Sequence, residues 1–179
     1  MTRRDLFRLA GTVALLAGCG GGEGGARRSA SAPAPDVGVL NRALDLENTA
    51  IAAYAAGTDL MRGEVLRLGR RLLAQEREHA AALRRAIKRL GGIPHEPKSA
   101  AEYARSFPRL RDQHDALRFA VDLESMAVRL YEESLPKLTS PELRRASAAI
   151  LTNEAEHISA LLGAQGGPQA PAAFVTGLA

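Results

Sequence analysis

From Asp36 onward, apolar residues recur at alternating three- and four-residue steps, the period of the buried face of an α-helix. The first stripe is Leu40, Leu44, Ile51 and Tyr54, and the second is Val65, Leu68, Leu72, Leu83, Ile87 and Leu90. The third is Leu117, Val121, Val128, Tyr131 and Leu135, and the fourth is Leu143, Ser147, Ile150 and Leu161. Asp36 stands where it would cap the first helix, which runs to about Met61, and Gly63 marks a tight junction into the second. Gly91-Gly92 followed by Pro94 closes the second helix, because glycine accepts the left-handed C-terminal position and proline cannot continue the helix. Asp112 is placed to cap the third. Ser140-Pro141-Glu142 supplies a cap, a proline at the first helical position and an acid at the positive end of the fourth, which Gly166-Gly167-Pro168 ends.

The pattern predicts an all-α antiparallel four-helix bundle. Two of its connections are a few residues long and join antiparallel neighbours, whereas Ile93 to Arg111 separates the second helix from the third. A helix of about 27 residues is about 40 Å long, and about twenty extended residues span that distance, so one long crossover joins two hairpins. A short helix around Ser99 to Phe107 fits within it.

Each stripe is broken by an acid: Glu47, Glu76, Glu124 and Glu154, with His79 and His157 three residues after the second and fourth. The two halves repeat one another. Leu44-Asp45-Leu46-Glu47 with Tyr54 matches Val121-Asp122-Leu123-Glu124 with Tyr131, and Gln75-Glu76-Arg77-Glu78-His79 matches Asn153-Glu154-Ala155-Glu156-His157. The single and paired acids are 29 residues apart in one half and 30 in the other, which sets all four at mid-height.

Four buried carboxylates lose hydration and repel one another at a cost of several kcal/mol each, and two divalent cations would cancel their charge. Carboxylate oxygens with one imidazole per ion suit iron, with manganese as the alternative, and a Glu and a His three apart on a helix face the same way. A metal-free core of protonated carboxyls is the competing reading.

In these residues the chain resembles the ferritin-like di-iron carboxylate superfamily over about Asp36 to Gly163. The resemblance implies that Glu47, Glu76, His79, Glu124, Glu154 and His157 bind two metal ions, with Glu76 and Glu154 bridging them. It also places Tyr54 and Tyr131 beside the metals. Gln75 and Asn153, four residues before the histidines, are candidates to orient an imidazole. The family includes ferritins, rubrerythrins, manganese catalases and oxygenases. Iron-dependent or manganese-dependent reaction with dioxygen or peroxide, of ferroxidase, peroxidase or catalase type, is therefore one expectation. A non-catalytic metal-binding or structural surface lipoprotein is the other.

Composition narrows this further. Ala, Leu, Glu and Arg favour helix, and Trp is absent. The formal charge of +4 falls to +2 without Arg3, Arg4, Arg8 and Asp5, too little to imply a nucleic-acid partner. The single cysteine excludes a Cys-x-x-Cys pair and hence the iron-thiolate module of a standard rubrerythrin. No segment after the fourth helix suits a ferritin storage cage, although a homo-oligomer of another kind stays open. Glu78 and Glu156 are expected in surface ion pairs, His95 and His114 in solvent, and Arg84, Arg85, Lys88 and Arg89 on an outer face.

The first 19 residues form a charged start, a short apolar run and Leu16-Ala17-Gly18-Cys19, the three parts of a signal peptide. The ending resembles the bacterial lipobox, which implies lipidation of Cys19, and Thr2-Arg3-Arg4-Asp5-Leu6-Phe7 resembles a twin-arginine export signal. The expected organisation is a signal over 1–19, a Gly/Ser/Ala/Pro tether over 20–35, the bundle over 36–165 and a tail over 166–179. The expected location is the outer face of the bacterial cytoplasmic membrane, held there by lipid.

Overall fold

A computed structural model describes residues 35–176. The signal peptide, Cys19 and nearly all of the tether lie outside the described residues. Every regular element among those described is helical: α1 (Pro35–Gly57), α2 (Gly63–Arg89), a short α3 (Ala100–Ala104), α4 (Gln113–Ser134) and α5 (Pro141–Ala164). The fold is the all-α four-helix bundle that the periodicity predicts, with α3 inside the crossover. None of these helices is long and apolar enough to cross a membrane.

The helix ends follow local chemistry. Asp112 accepts from the Asp115 amide at 2.9 Å, Ser140 from the Leu143 amide at 3.4 Å, and Ser99 with Glu102 forms a capping box on α3. At the far ends of α2 and α5, Gly91 (φ 74°) and Gly166 (φ 80°) turn left-handed. Gly92 N–H then reaches the Ile87 carbonyl and Gly167 N–H the Leu162 carbonyl, each at 3.0 Å, so both hairpins close with the same glycine motif.

Asp36 corrects the sequence reading. Helix α1 already begins at Pro35, a residue assigned above to the tether, and Asp36 lies within its first turn. Its carboxylate accepts from the Thr139 amide and hydroxyl, each at 2.8 Å, tying the start of α1 to the α4–α5 link. His95 is exposed, as expected, and also holds a partner. Half exposed, it is pinned to α1 by Asp45 at 2.9 Å and by its backbone N–H to Asn41 at 2.8 Å, which fixes the start of the crossover.

α1 packs closely on α2 and α4 on α5, α1 also meets α4, and α2 touches α5 sparsely. The core has two apolar layers. One joins Leu40 and Leu44 of α1 to Leu83 and Ile87 of α2, Tyr131 of α4 and Ile150 of α5. The other joins Tyr54 of α1 to Leu68 and Leu72 of α2, Leu117 of α4 and Leu161 of α5. In each layer the first half of one helix meets the second half of its hairpin partner, as antiparallel pairs require. The polar residues lie between the layers.

Candidate metal centre

The long helices deliver six side chains to this middle level: Glu47 from α1, Glu76 and His79 from α2, Glu124 from α4, and Glu154 and His157 from α5. The carboxylates and His157 are at most 2 % exposed, while the His79 side chain retains 12 %. One donor atom each from Glu47, Glu76, His79 and Glu154 lies within 4.8 Å of the others, and the same holds for Glu76, Glu124, Glu154 and His157. Glu76 and Glu154 belong to both groups.

Both imidazoles turn Nδ1 toward the carboxylates. His79 Nδ1 is 2.9 Å from Glu154 and 3.6 Å from both Glu47 and Glu76. His157 Nδ1 is 3.0 Å from Glu76, 3.2 Å from Glu154 and 3.4 Å from Glu124. These approaches are close but poorly aligned as hydrogen bonds. Six buried side-chain polar atoms among the described residues lack a hydrogen-bond partner, and five of them are here: both histidine Nδ1 atoms, Glu76 Oε1 and both Glu154 oxygens. Buried polar atoms are ordinarily paired, so this concentration of unpartnered donor atoms fits a cation.

Outer partners cross between the halves. Tyr54 on α1 donates to Glu124 on α4, and Tyr131 on α4 donates to Glu47 on α1. His79 Nε2 lies 3.1 Å from Asn153 Oδ1, and His157 Nε2 lies 3.1 Å from Gln75 Oε1. An amide oxygen only accepts, so each Nε2 carries a proton, and a ring that gave up its other proton to a cation would present its Nδ1 lone pair inward. Each hairpin therefore orients the side chains of the other. Sequence spacing placed Gln75 and Asn153 near histidines of their own helices; the partner is the opposite one.

The family model of the ferritin-like domain matches residues 35–166. The chain belongs to the ferritin-like family. The bundle is similar to a ferritin-like, diiron-carboxylate protein from Bacillus anthracis, with a TM-score of 0.61, 23 % identity and coverage of 70 % of this chain and 91 % of that one. It is similar to a dodecameric thioferritin, a bacterioferritin-related protein from Bacteroides fragilis, with a TM-score of 0.63, 26 % identity and coverage of 73 % and 83 %. A conserved hypothetical protein from Mycobacterium tuberculosis gives a TM-score of 0.67, 20 % identity and coverage of 78 % and 96 %. No curated protein matches the chain.

Without a cation, this ferritin-like core reaches neutrality through protons. Burial pushes the Glu47 carboxyl well above its ordinary range and that of Glu124 to about 8. Burial also acts to raise Glu76 and Glu154, but the two imidazoles outweigh it, lowering Glu76 and bringing Glu154 to about 2. For the histidines burial opposes protonation, and the surrounding carboxylates overcome it, lifting His79 to about 12 and His157 to about 11. Two imidazolium ions then face two carboxylates, beside two neutral acids. Burial, followed by the neighbouring carboxylate, drives both tyrosines well above their ordinary value, so their hydroxyls stay protonated and donate.

One contact was missed by the sequence reading. Glu156, expected in a surface ion pair, accepts from Asn153 Nδ2 at 3.2 Å, and the three-residue helical spacing of the pair is the signal that could have found it. Glu78, also expected in a surface ion pair, makes none among the described residues; with Arg77 and Arg85 it lines a surface depression of about 540 Å³ that reaches His79. A larger depression of about 720 Å³, lined by Arg109, Arg111 and Arg118 among others, includes none of the six clustered residues.

Proposed function

We propose that this protein holds a two-metal centre, iron or alternatively manganese, on Glu47, Glu76, His79, Glu124, Glu154 and His157, with Glu76 and Glu154 shared between the ions. The observation that carries the reading is the coincidence of two overlapping donor groups with five buried atoms that have no partner in the protein. When bound, such ions supply redox chemistry toward dioxygen or peroxide, of ferroxidase or peroxidase type.

The protein's own residues supply position and exclusion. Tyr54 and Tyr131 hold the two unshared carboxylates, Asn153 and Gln75 set the imidazole tautomers, and the apolar layers on either side keep bulk water out. We also place the mature protein outside the cytoplasmic membrane, anchored through lipidated Cys19, on the strength of Leu16-Ala17-Gly18-Cys19 and the Gly-rich stretch that follows.

Elemental analysis of purified protein, then stopped-flow mixing of the anaerobically reduced, metal-loaded form with dioxygen or hydrogen peroxide, tests this reading. The expected result is about two ions per chain and an oxidation that Glu76→Ala abolishes. Bound metal with the same slow oxidation in wild type and variant would favour a non-catalytic metal-binding lipoprotein. Absence of metal would favour the protonated core.

A further inference from the structure

The two halves of the centre match in their donors and differ in what stands behind them. Behind His157 stands Gln75, at 3.1 Å from Nε2, and among the described residues no hydrogen bond ties Gln75 to Glu78. Behind His79 stands Asn153, also at 3.1 Å, and its Nδ2 donates onward to Glu156 Oε2 at 3.2 Å. Glu78 and Glu156 are counterparts in the repeat, each two residues after a clustered Glu. Only Glu156 is wired to the centre.

A carboxylate accepts only from the amide nitrogen, so Glu156 fixes which end of Asn153 faces the ring. The Asn153 oxygen then meets the Nε2 proton, and His79 Nδ1 stays turned toward the clustered carboxylates. The negative charge of Glu156 also polarises the amide, strengthening its grip on Nε2–H. His157 needs less of this, because its side chain is 2 % exposed and packing confines it. His79 is 12 % exposed and borders the depression formed with Arg77, Glu78, Ala81, Ala82 and Arg85.

Resting on the two-metal reading, we infer that the centre is asymmetric: the position at His79 is the exchangeable one, and Glu156, acting through Asn153, is a positioning residue that holds the His79 ring to its metal. Solvent or a chelator reaches the centre over His79, where a tether of two polar side chains replaces the packing that surrounds His157. Weakening that tether frees one ion and leaves the other held.

The test uses full-length protein loaded anaerobically with ferrous iron and mixed with excess 2,2′-bipyridine, with release followed by absorbance. Wild type should release iron in two phases of similar amplitude. Glu156→Ala should accelerate the fast phase about tenfold and leave the slow phase unchanged. Glu156→Gln, which keeps an acceptor and loses the charge, should fall between them, and Glu78→Ala should change neither phase. Glu156 is exposed, so its removal spares the core, and circular dichroism checks that the bundle persists. A single release phase in wild type, or equal effects of Glu78→Ala and Glu156→Ala, would overturn the asymmetry. Failure of wild type to bind iron at all would instead overturn the underlying two-metal reading.

Discussion

The hydroxyl of Tyr131 on α4 donates to Oε1 of Glu47 on α1, where both side chains are almost completely shielded from water. Tyr131→Phe removes this donor while keeping the ring in its apolar layer. A buried carboxyl oxygen is then left without its partner, at a cost of about 1–3 kcal/mol. The expected outcome is a lower urea midpoint with an unchanged slope, together with weaker binding of the ion nearest Glu47. An unchanged midpoint would show that the hydroxyl contributes nothing to the fold.

Shared and unshared carboxylates should differ in what their loss removes. Glu47 belongs to one donor group and Glu76 to both. After anaerobic reconstitution, Glu47→Ala should retain about one ion per chain and Glu76→Ala close to none, against about two in wild type. Elemental analysis reads the ratio, and equal losses from the two variants would contradict the sharing of Glu76.

Loading the centre should release protons. In the metal-free core His79 keeps its proton up to about 12, His157 up to about 11 and Glu124 up to about 8, and burial holds Glu47 protonated as well. Metal ligation displaces all four, so about four protons per chain should appear on loading near neutral pH, and affinity should rise with pH. The raised carboxyls also affect stability. Glu124 moves from 4.5 to about 8 on folding, so its contribution is full below 4.5 and is lost as pH rises through about 8. Thermal melts should show the metal-free protein weakening over that interval and the loaded protein far less. Dye-detected release of no protons would refute the protonated metal-free state.

Anchoring rests on one side chain. Cys19→Ala should leave the precursor unprocessed or free the protein from membranes, as fractionation and mass measurement of the N-terminus will show. Membrane attachment that survives the substitution, with an uncleaved wild-type N-terminus, would rule out the lipid anchor.

Local chemistry made the helices legible in the sequence. The caps Asp112 and Ser140 and the left-handed Gly91 and Gly166 act through neighbours within a turn or two, and the acids show themselves by interrupting four apolar stripes of local period. What was not legible depends on partners distant in the chain. Asp36 has the chemistry of a cap, yet it is spent on Thr139, 103 residues away. Gln75 and Asn153 carry the right chemistry, but helical spacing identifies only the face they share and not the facing helix they meet, which the sparse α2–α5 packing brings within reach.

The crossover from Ile93 to Arg111 has a consequence for dilution and for genetics. Two separate hairpins would assemble the centre only as fast and as fully as their concentration allowed. Joined in one chain, they meet at an effective concentration on the order of millimolar, whatever the protein's abundance. The centre therefore survives dilution that would empty a hairpin dimer. By the same linkage, a chain defective in one hairpin cannot borrow a sound one from its neighbour without first unravelling its own bundle, so two lesions in opposite halves should fail to complement when carried on different copies.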